Sequence, residues 1–264
     1  PAYNTKMRNV IAYLTKCRKI PEDLVQLLID TNHIYAGMLK LDETRTYPYD
    51  TIKQDGKVYS KSPLCSFRIL NEQGDVVGVD SCSTLSNYRL KHITAGSNPD
   101  YAWCFAWKAP EITPQTPLFF CESPIDAMSL CALMDEGGIY ISMAGVKDNT
   151  LISMAEKLGG RPGICVDSDE AGDRFAARFP QYTRLTVPVG KDWNDCLQHY
   201  VRNGMPYGLS PKPVPVADAK SPVPAAETHG DDGDELAETK KEARAPLEGA
   251  REDEITASEM EQIR

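Results

Sequence analysis

A chain of 264 residues, 41% hydrophobic and 25% charged, is long enough for one or two modest domains with a real core. Its net charge of −9 is unevenly spread: residues 1–110 hold 14 Lys/Arg against 11 Asp/Glu (+3), residues 111–204 hold 8 against 13 (−5), and residues 205–264 hold 7 against 14 (−7). There is no signal-peptide pattern and no long apolar run, which excludes a membrane-spanning helix.

In chain order, Val10, Ile11, Leu14 and Cys17 recur at helical spacing and predict a helix over Met7 to Arg18, along which Lys6, Arg8, Lys16, Arg18 and Lys19 cluster. Pro21 opens a second helix with Leu24, Leu27 and Leu28 on its apolar face. From Ile34 to Trp107 the pattern changes to short strands and Gly or Asn turns, including Leu64 to Leu70, Val76 to Ser81 and Tyr101 to Trp107, with a second basic cluster at Arg89, Lys91 and His92. Residues 1–110 therefore read as an α+β accessory domain, and Pro110 and Pro114 punctuate its end. An excess of +3 leaves nucleic-acid binding and plain solvated surface equally open for this half.

Pro117 to Cys121, Ile139 to Met143 and Gly163 to Val166 are short apolar runs of the kind that form buried parallel strands. Helical segments follow each, over Pro124 to Glu136, Asp148 to Leu158 and Glu170 to Phe179, and a fourth strand is expected over Tyr182 to Val187. Strand and helix alternating in this way predict βαβ units in an α/β domain over residues 115–204. After Gly204, Pro-rich segments and a run of acids cannot bury enough apolar surface to offset ordering entropy, so residues 206–264 read as a disordered acidic tail, with a nascent helix over Asp234 to Arg244. Eight cysteines show no CxxC spacing, which argues against a zinc ribbon; Cys121 and Cys165 fall in predicted strands, and the pattern suits a reducing cytoplasm.

Ligands of parallel α/β sheets bind beyond the carboxyl ends of the strands. Glu122 ends the first of these strands, Asp167 ends the third and Asp169 follows two residues on, so all three are expected at one rim. Crowded carboxylates repel, a bound cation relieves the repulsion, and oxygen ligands suit Mg²⁺ or Mn²⁺. Each acid also has a plainer reading. Ser123, Pro124 and Asp126 have the form of a helix start, which leaves Asp126 open between cap and site. Asp169 is well placed to cap the helix beginning near Glu170, Asp173 lies one turn on and suits either exposure or support of the site, and Asp192 and Asp195 could cap the closing helix. Lys147 and Lys191 are candidate phosphate contacts.

Glu122-Ser-Pro-Ile-Asp126, the Ala144-Gly145 turn, Asp167-Ser-Asp169-Glu-Ala-Gly172 with Arg178 downstream, and Gly190-Lys-Asp-Trp-Asn-Asp195 together resemble a TOPRIM domain, the catalytic module of bacterial primases, topoisomerases and some nucleases. The segment before it, from Arg8 to Phe105, resembles the uncharacterised domain that precedes TOPRIM in primase-like proteins of plasmids and conjugative elements. The resemblance implies a four-stranded parallel sheet flanked by helices, with Glu122 as general acid or base and metal ligand, Asp167 and Asp169 as metal ligands, and Asp192 or Asn194 completing the shell. It implies Mg-dependent nucleotidyl transfer on single-stranded DNA with nucleotides, in mobile-element replication or transfer, alongside other replication or conjugation proteins. Metal-dependent nuclease action, and non-catalytic nucleic-acid binding within a relaxase or replication complex, are the alternatives. Such proteins often carry an upstream zinc module, and a chain starting at Pro1 without Met is expected to be a fragment.

Overall fold

The computed structural model of the protein describes residues 5–41, 51–54, 57–85, 90–205 and 213–214; Pro213 and Val214, expected in the disordered tail, instead form a short strand, while the rest of that tail with its expected helix, and Arg89, lie outside the described residues. The first helix, α1 (Thr5–Ala12), runs straight into a π-helical turn over Tyr13–Cys17. The extra residue per turn rotates Cys17 out to solvent and turns Tyr13 in beside Val10 and Leu14, so Cys17 is not on the buried face that its spacing predicted. Pro21 caps α2 (Glu22–Asp30), where Glu22 and Asp23 complement the helix dipole. Its buried stripe is Leu24, Val25, Leu28 and Ile29; Leu27, expected on that face, is 40% exposed.

An antiparallel sheet follows, in the order β1 (Ile34–Leu41), β3 (Lys57–Leu70), β4 (Val76–Ser83), β5 (Lys91–Ile93), with β2 (Thr51–Gln54) also paired to β3. The second sheet is built from β6 (Trp103–Trp107), β7 (Pro117–Cys121), β8 (Gly138–Ser142), β9 (Arg161–Ile164), β10 (Thr183–Leu185) and β11 (Pro213–Val214), in the order β11-β10-β9-β7-β8-β6. Its four inner strands are parallel, as expected from the strand-helix alternation. Its edges are antiparallel additions: β6 comes from the segment read as accessory and pairs with β8, and β11 pairs with β10.

The alternation of side chains along β7 explains how both faces are covered. Leu118 and Phe120 point to a core shared with Ile139, Ile141, Ile164 and residues of α4 (Asp148–Leu158) and α5 (Glu170–Ala177), such as Leu151 and Phe175. Phe119 and Cys121 point to the other face, against α3 (Pro124–Met134) and α6 (Trp193–Arg202), and this core continues to Val10, Leu14 and Leu24 of the first helices. Consistent with that position, α3 is apolar almost all round and ten of its eleven residues are buried. Among the described residues no helix is long and apolar enough to cross a membrane.

Candidate functional site

Because β7 and β9 are adjacent and parallel, the residues that follow them emerge at one rim. Glu122 leaves β7 half-buried, and its Oε1 accepts a hydrogen bond from the Asp167 backbone N–H at 3.2 Å. The loop after β8 closes over the same place: Ala144 and Gly145 both have positive φ (54° and 108°), and the Gly145 N–H donates to the Glu122 carbonyl at 2.8 Å. Asp169 caps α5 by accepting from the Gly172 N–H at 2.9 Å, and Asp192 caps α6 by accepting from the Asp195 N–H at 2.7 Å. Both acids thus fill the cap role while remaining at the rim. Trp193, with no exposed surface, ties α6 to the end of β9 through its indole N–H and the Cys165 carbonyl at 2.7 Å.

The electrostatics follow from crowding. Burial and the neighbouring Asp167 raise the Glu122 carboxyl above its ordinary range; burial and Asp192 raise Asp167. Asp169 is lowered, first by the Gly172 N–H and then by Lys191. Lys191 Nζ lies 3.1 Å from Asp169 Oδ2 and 3.5 Å from Asp167 Oδ2, so an ammonium sits between the two acids where positive charge is most favourable. The donor set, hard carboxylate oxygens in mutual repulsion, fits a hard divalent cation. Among the described residues no three acids, His or Cys converge on one point as the side chains stand, and Lys191 lies between Asp167 and Asp169.

A cleft of about 600 Å³ runs from this rim to the first sheet and the π-helical turn. Glu122, Asp126, Asp167, Lys191, Asp192, Asn194 and Asp195 line one side; Arg18, Asp80 and Lys91 are on the other. Asp126 is buried, accepts from Ser123 Oγ at 2.5 Å, and is pushed up to about 7 by burial and then by Asp192. Asn194 is buried and ties α6 to α3 and to the π-helical turn, donating to Ser129 Oγ at 2.9 Å and to the Arg18 carbonyl at 2.8 Å. Of the predicted basic residues, Arg18 and Lys91 reach the cleft. Arg8, Lys16 and Lys19 are exposed but do not line it, and the Lys6 side chain and Arg89 are outside the described residues. Lys147 is exposed just ahead of α4, Arg178 pairs with Asp148 at 2.6 Å, and Asp173 is an exposed partner of Arg184 at 2.8 Å.

Two residues were not found from the sequence. Asp80, 8% exposed within β4, faces the cleft and is raised to about 6 by burial, with Lys91 partly offsetting the rise. Arg184, 6% exposed, lies in β10 beneath the rim. The available signal was the same for both, a charged residue inside a short strand run.

Residues 119–197 match the profile of a Toprim-like family. No curated protein matches the chain significantly. The fold is similar to that of the RNA polymerase domain of Mycobacterium tuberculosis primase, solved with double-stranded DNA, at 13% identity and a TM-score of 0.50 over 81% of this chain and 76% of that one. Weaker similarity extends to the primase fragment of the bacteriophage T7 primase-helicase (15% identity, TM-score 0.47, covering 72% of this chain and 69% of that one) and to the E. coli primase catalytic core (14%, 0.45, 74% and 70%). At such identities the likeness is one of fold. Residues 119–197, the inner strands of the second sheet with the helices between them, are thus similar to a Toprim-like domain, and the fold is similar to that of a primase RNA polymerase domain.

Proposed function

We propose that this protein is a primase-like, Mg²⁺-dependent nucleotidyltransferase that extends nucleotide chains on single-stranded DNA, in the replication or transfer of a mobile element. The observation that carries the reading is a cleft with clustered acids and Lys191 on one wall and Arg18 and Lys91, beside Asp80, on the other. Phosphate needs cationic contacts, and phosphoryl transfer needs charge neutralisation beside a proton acceptor. In this reading residues 1–110 supply the basic wall and residues 115–204 supply the acids, with residues 206–264 acting as a tail.

Each acid then has a distinct part. Asp167, Asp169 and Glu122, with Asp192 beside them, would hold Mg²⁺ or Mn²⁺. The ion supplies neutralisation of phosphate charge as negative charge develops at phosphorus. Glu122, whose proton affinity is raised by burial and by Asp167, would receive the proton of an attacking hydroxyl. Lys91 is exposed on the opposite wall and free to meet phosphate, and Lys191, displaced from the acids, would be a second such contact.

Turnover of single-stranded DNA with labelled nucleotides and Mg²⁺ tests this. Wild type is expected to synthesise oligonucleotides, and Glu122→Gln and Asp167→Asn are each expected to lose about 10²-fold or more. Cutting of the strand in place of synthesis, lost in the same variants, would make the site a nuclease; binding without turnover would make the protein a nucleic-acid-binding module.

A further inference from the structure

Two of the rim carboxylates, Asp167 and Asp169, sit on the loop that leads into the first turn of α5, residues 167–173, whose main chain is held from below by one buried side chain. Arg184 lies in β10, next to β9 in the sheet, with its residue paired in register with Ile164. Its guanidinium donates through Nη1 to the Gly172 carbonyl at 2.5 Å and through Nη2 to the Asp167 carbonyl at 3.1 Å, and Nη2 also pairs with Asp173 Oδ1 at 2.8 Å. These contacts join the first and last thirds of the loop. Among the described residues Arg184 Nε has no hydrogen-bond partner. The contacts of the guanidinium are therefore all made by its two terminal nitrogens, with two main-chain carbonyls and one exposed carboxylate.

The loop is shaped for this contact. Gly172 approaches the Asp167 carbonyl so closely that a Cβ there would meet the oxygen at 2.1 Å. Only a glycine brings the start of α5 back over Asp167, and the two carbonyls then face the arms of a single planar fork. Further bonds strap the same loop to the segment after β10: the Ser168 N–H donates to the Lys191 carbonyl at 2.8 Å, and the Val187 N–H donates to Ser168 Oγ at 3.2 Å. Arg184 is the charged member of this strapping and touches no part of the cleft.

We infer that Arg184 is a positioning residue: by clamping the carbonyls of Asp167 and Gly172 it fixes the backbone from which Asp167 and Asp169 project, and so sets their affinity for a divalent cation. The clamp is a property of the fold; its consequence for the cation rests on the functional reading above. A lysine at 184 keeps the charge but offers one ammonium in place of a fork, and cannot hold both carbonyls in the same geometry.

Amide hydrogen exchange and Mn²⁺ binding, the latter read from the electron paramagnetic resonance signal of free Mn²⁺, test this on the full chain. In Arg184→Lys the Asp167 and Gly172 amides are expected to exchange about tenfold faster or more while α3 amides keep their wild-type rates, and Mn²⁺ affinity is expected to fall about 10- to 100-fold. Asp173→Asn, which removes only a partner that is 73% exposed, is expected to change neither by more than about twofold. Unchanged loop exchange overturns the clamp. So does exchange raised equally in the loop and α3, or failure of both Arg184→Lys and Arg184→Gln to fold, since each would mark Arg184 as a general stabiliser. Absence of Mn²⁺ binding in wild type would sink the metal reading and leave the exchange rates to decide the clamp.

Discussion

Asp126 and Asp80 are acids held in the cleft wall at a cost to the fold. Asp126 faces Asp192, Asp167 and Lys91, and Asp80 faces Lys91 and Lys147; burial is the largest influence on each, and raises them to about 7 and about 6 from an ordinary 3.8. A carboxyl whose folded value is raised binds more protons in the native state, so its contribution is fully present below about pH 4 and is lost as pH rises through the folded value. Wild type is therefore expected to melt at progressively lower temperature between pH 4 and pH 7. Asp126→Asn, whose amide oxygen can still accept from Ser123, is expected to flatten this dependence and to be more stable than wild type at pH 8 by a few kcal/mol at most, measured by thermal melts at both ends of the range. If the melting temperatures of the two proteins run parallel with pH, Asp126 is not the buried acid described here. The common place of Glu122, Asp167 and Asp169 at one rim was legible because they stand where apolar runs end. Asp80 and Arg184 were not, because a charge inside a strand is explained only by the neighbours that folding brings to it.

Among the elements, the helices that follow β7, β8 and β9 were read to within two residues: α4 was expected over Asp148 to Leu158 and spans those residues, and α3 ends at Met134, two residues short of the expected Glu136, because Asp135 turns left-handed with φ 53°. Local signals of this kind lie within a few residues of what they specify. The partner of β6 does not, since its pairing with β8 joins residues more than thirty apart, and no local pattern records which sheet an apolar run enters. Contacts between elements yield two expectations. Gly172→Ala must push the start of α5 off the Asp167 carbonyl, and is expected to cost about 1–3 kcal/mol in urea unfolding while weakening turnover more than it weakens substrate binding. Asn194→Ala strips partners from Ser129, Gln198 and the Arg18 carbonyl at the junction of α3, α6 and the π-helical turn, and is expected to cost about 1–3 kcal/mol; a change within about 0.5 kcal/mol would show that this junction is held by apolar packing alone.

For the whole molecule, the uneven charge is the property that the cleft must overcome. With a net charge of −9, the chain as a whole repels nucleic acid, and attraction has to come from local cations. Among the described residues that line the cleft, Lys91 is exposed, Lys191 is engaged with Asp167 and Asp169, and Arg18 is held by Tyr13 at 2.9 Å and by Asn194 at 3.4 Å. A strand bound there would meet only about one to three phosphate contacts. Single-stranded DNA affinity is thus expected to fall with salt at a log-log slope of roughly −1 to −2, far shallower than that of a protein coated in basic residues. Lys91→Ala is expected to weaken binding and to make the slope less steep by about 0.7, the loss of one phosphate contact. Fluorescence anisotropy between about 50 and 200 mM salt measures both. A wild-type slope steeper than about −4, unaltered by Lys91→Ala, would move the nucleic-acid track off the cleft and onto the exposed row of Arg8, Lys16 and Lys19, because only a longer basic surface can release that many counterions.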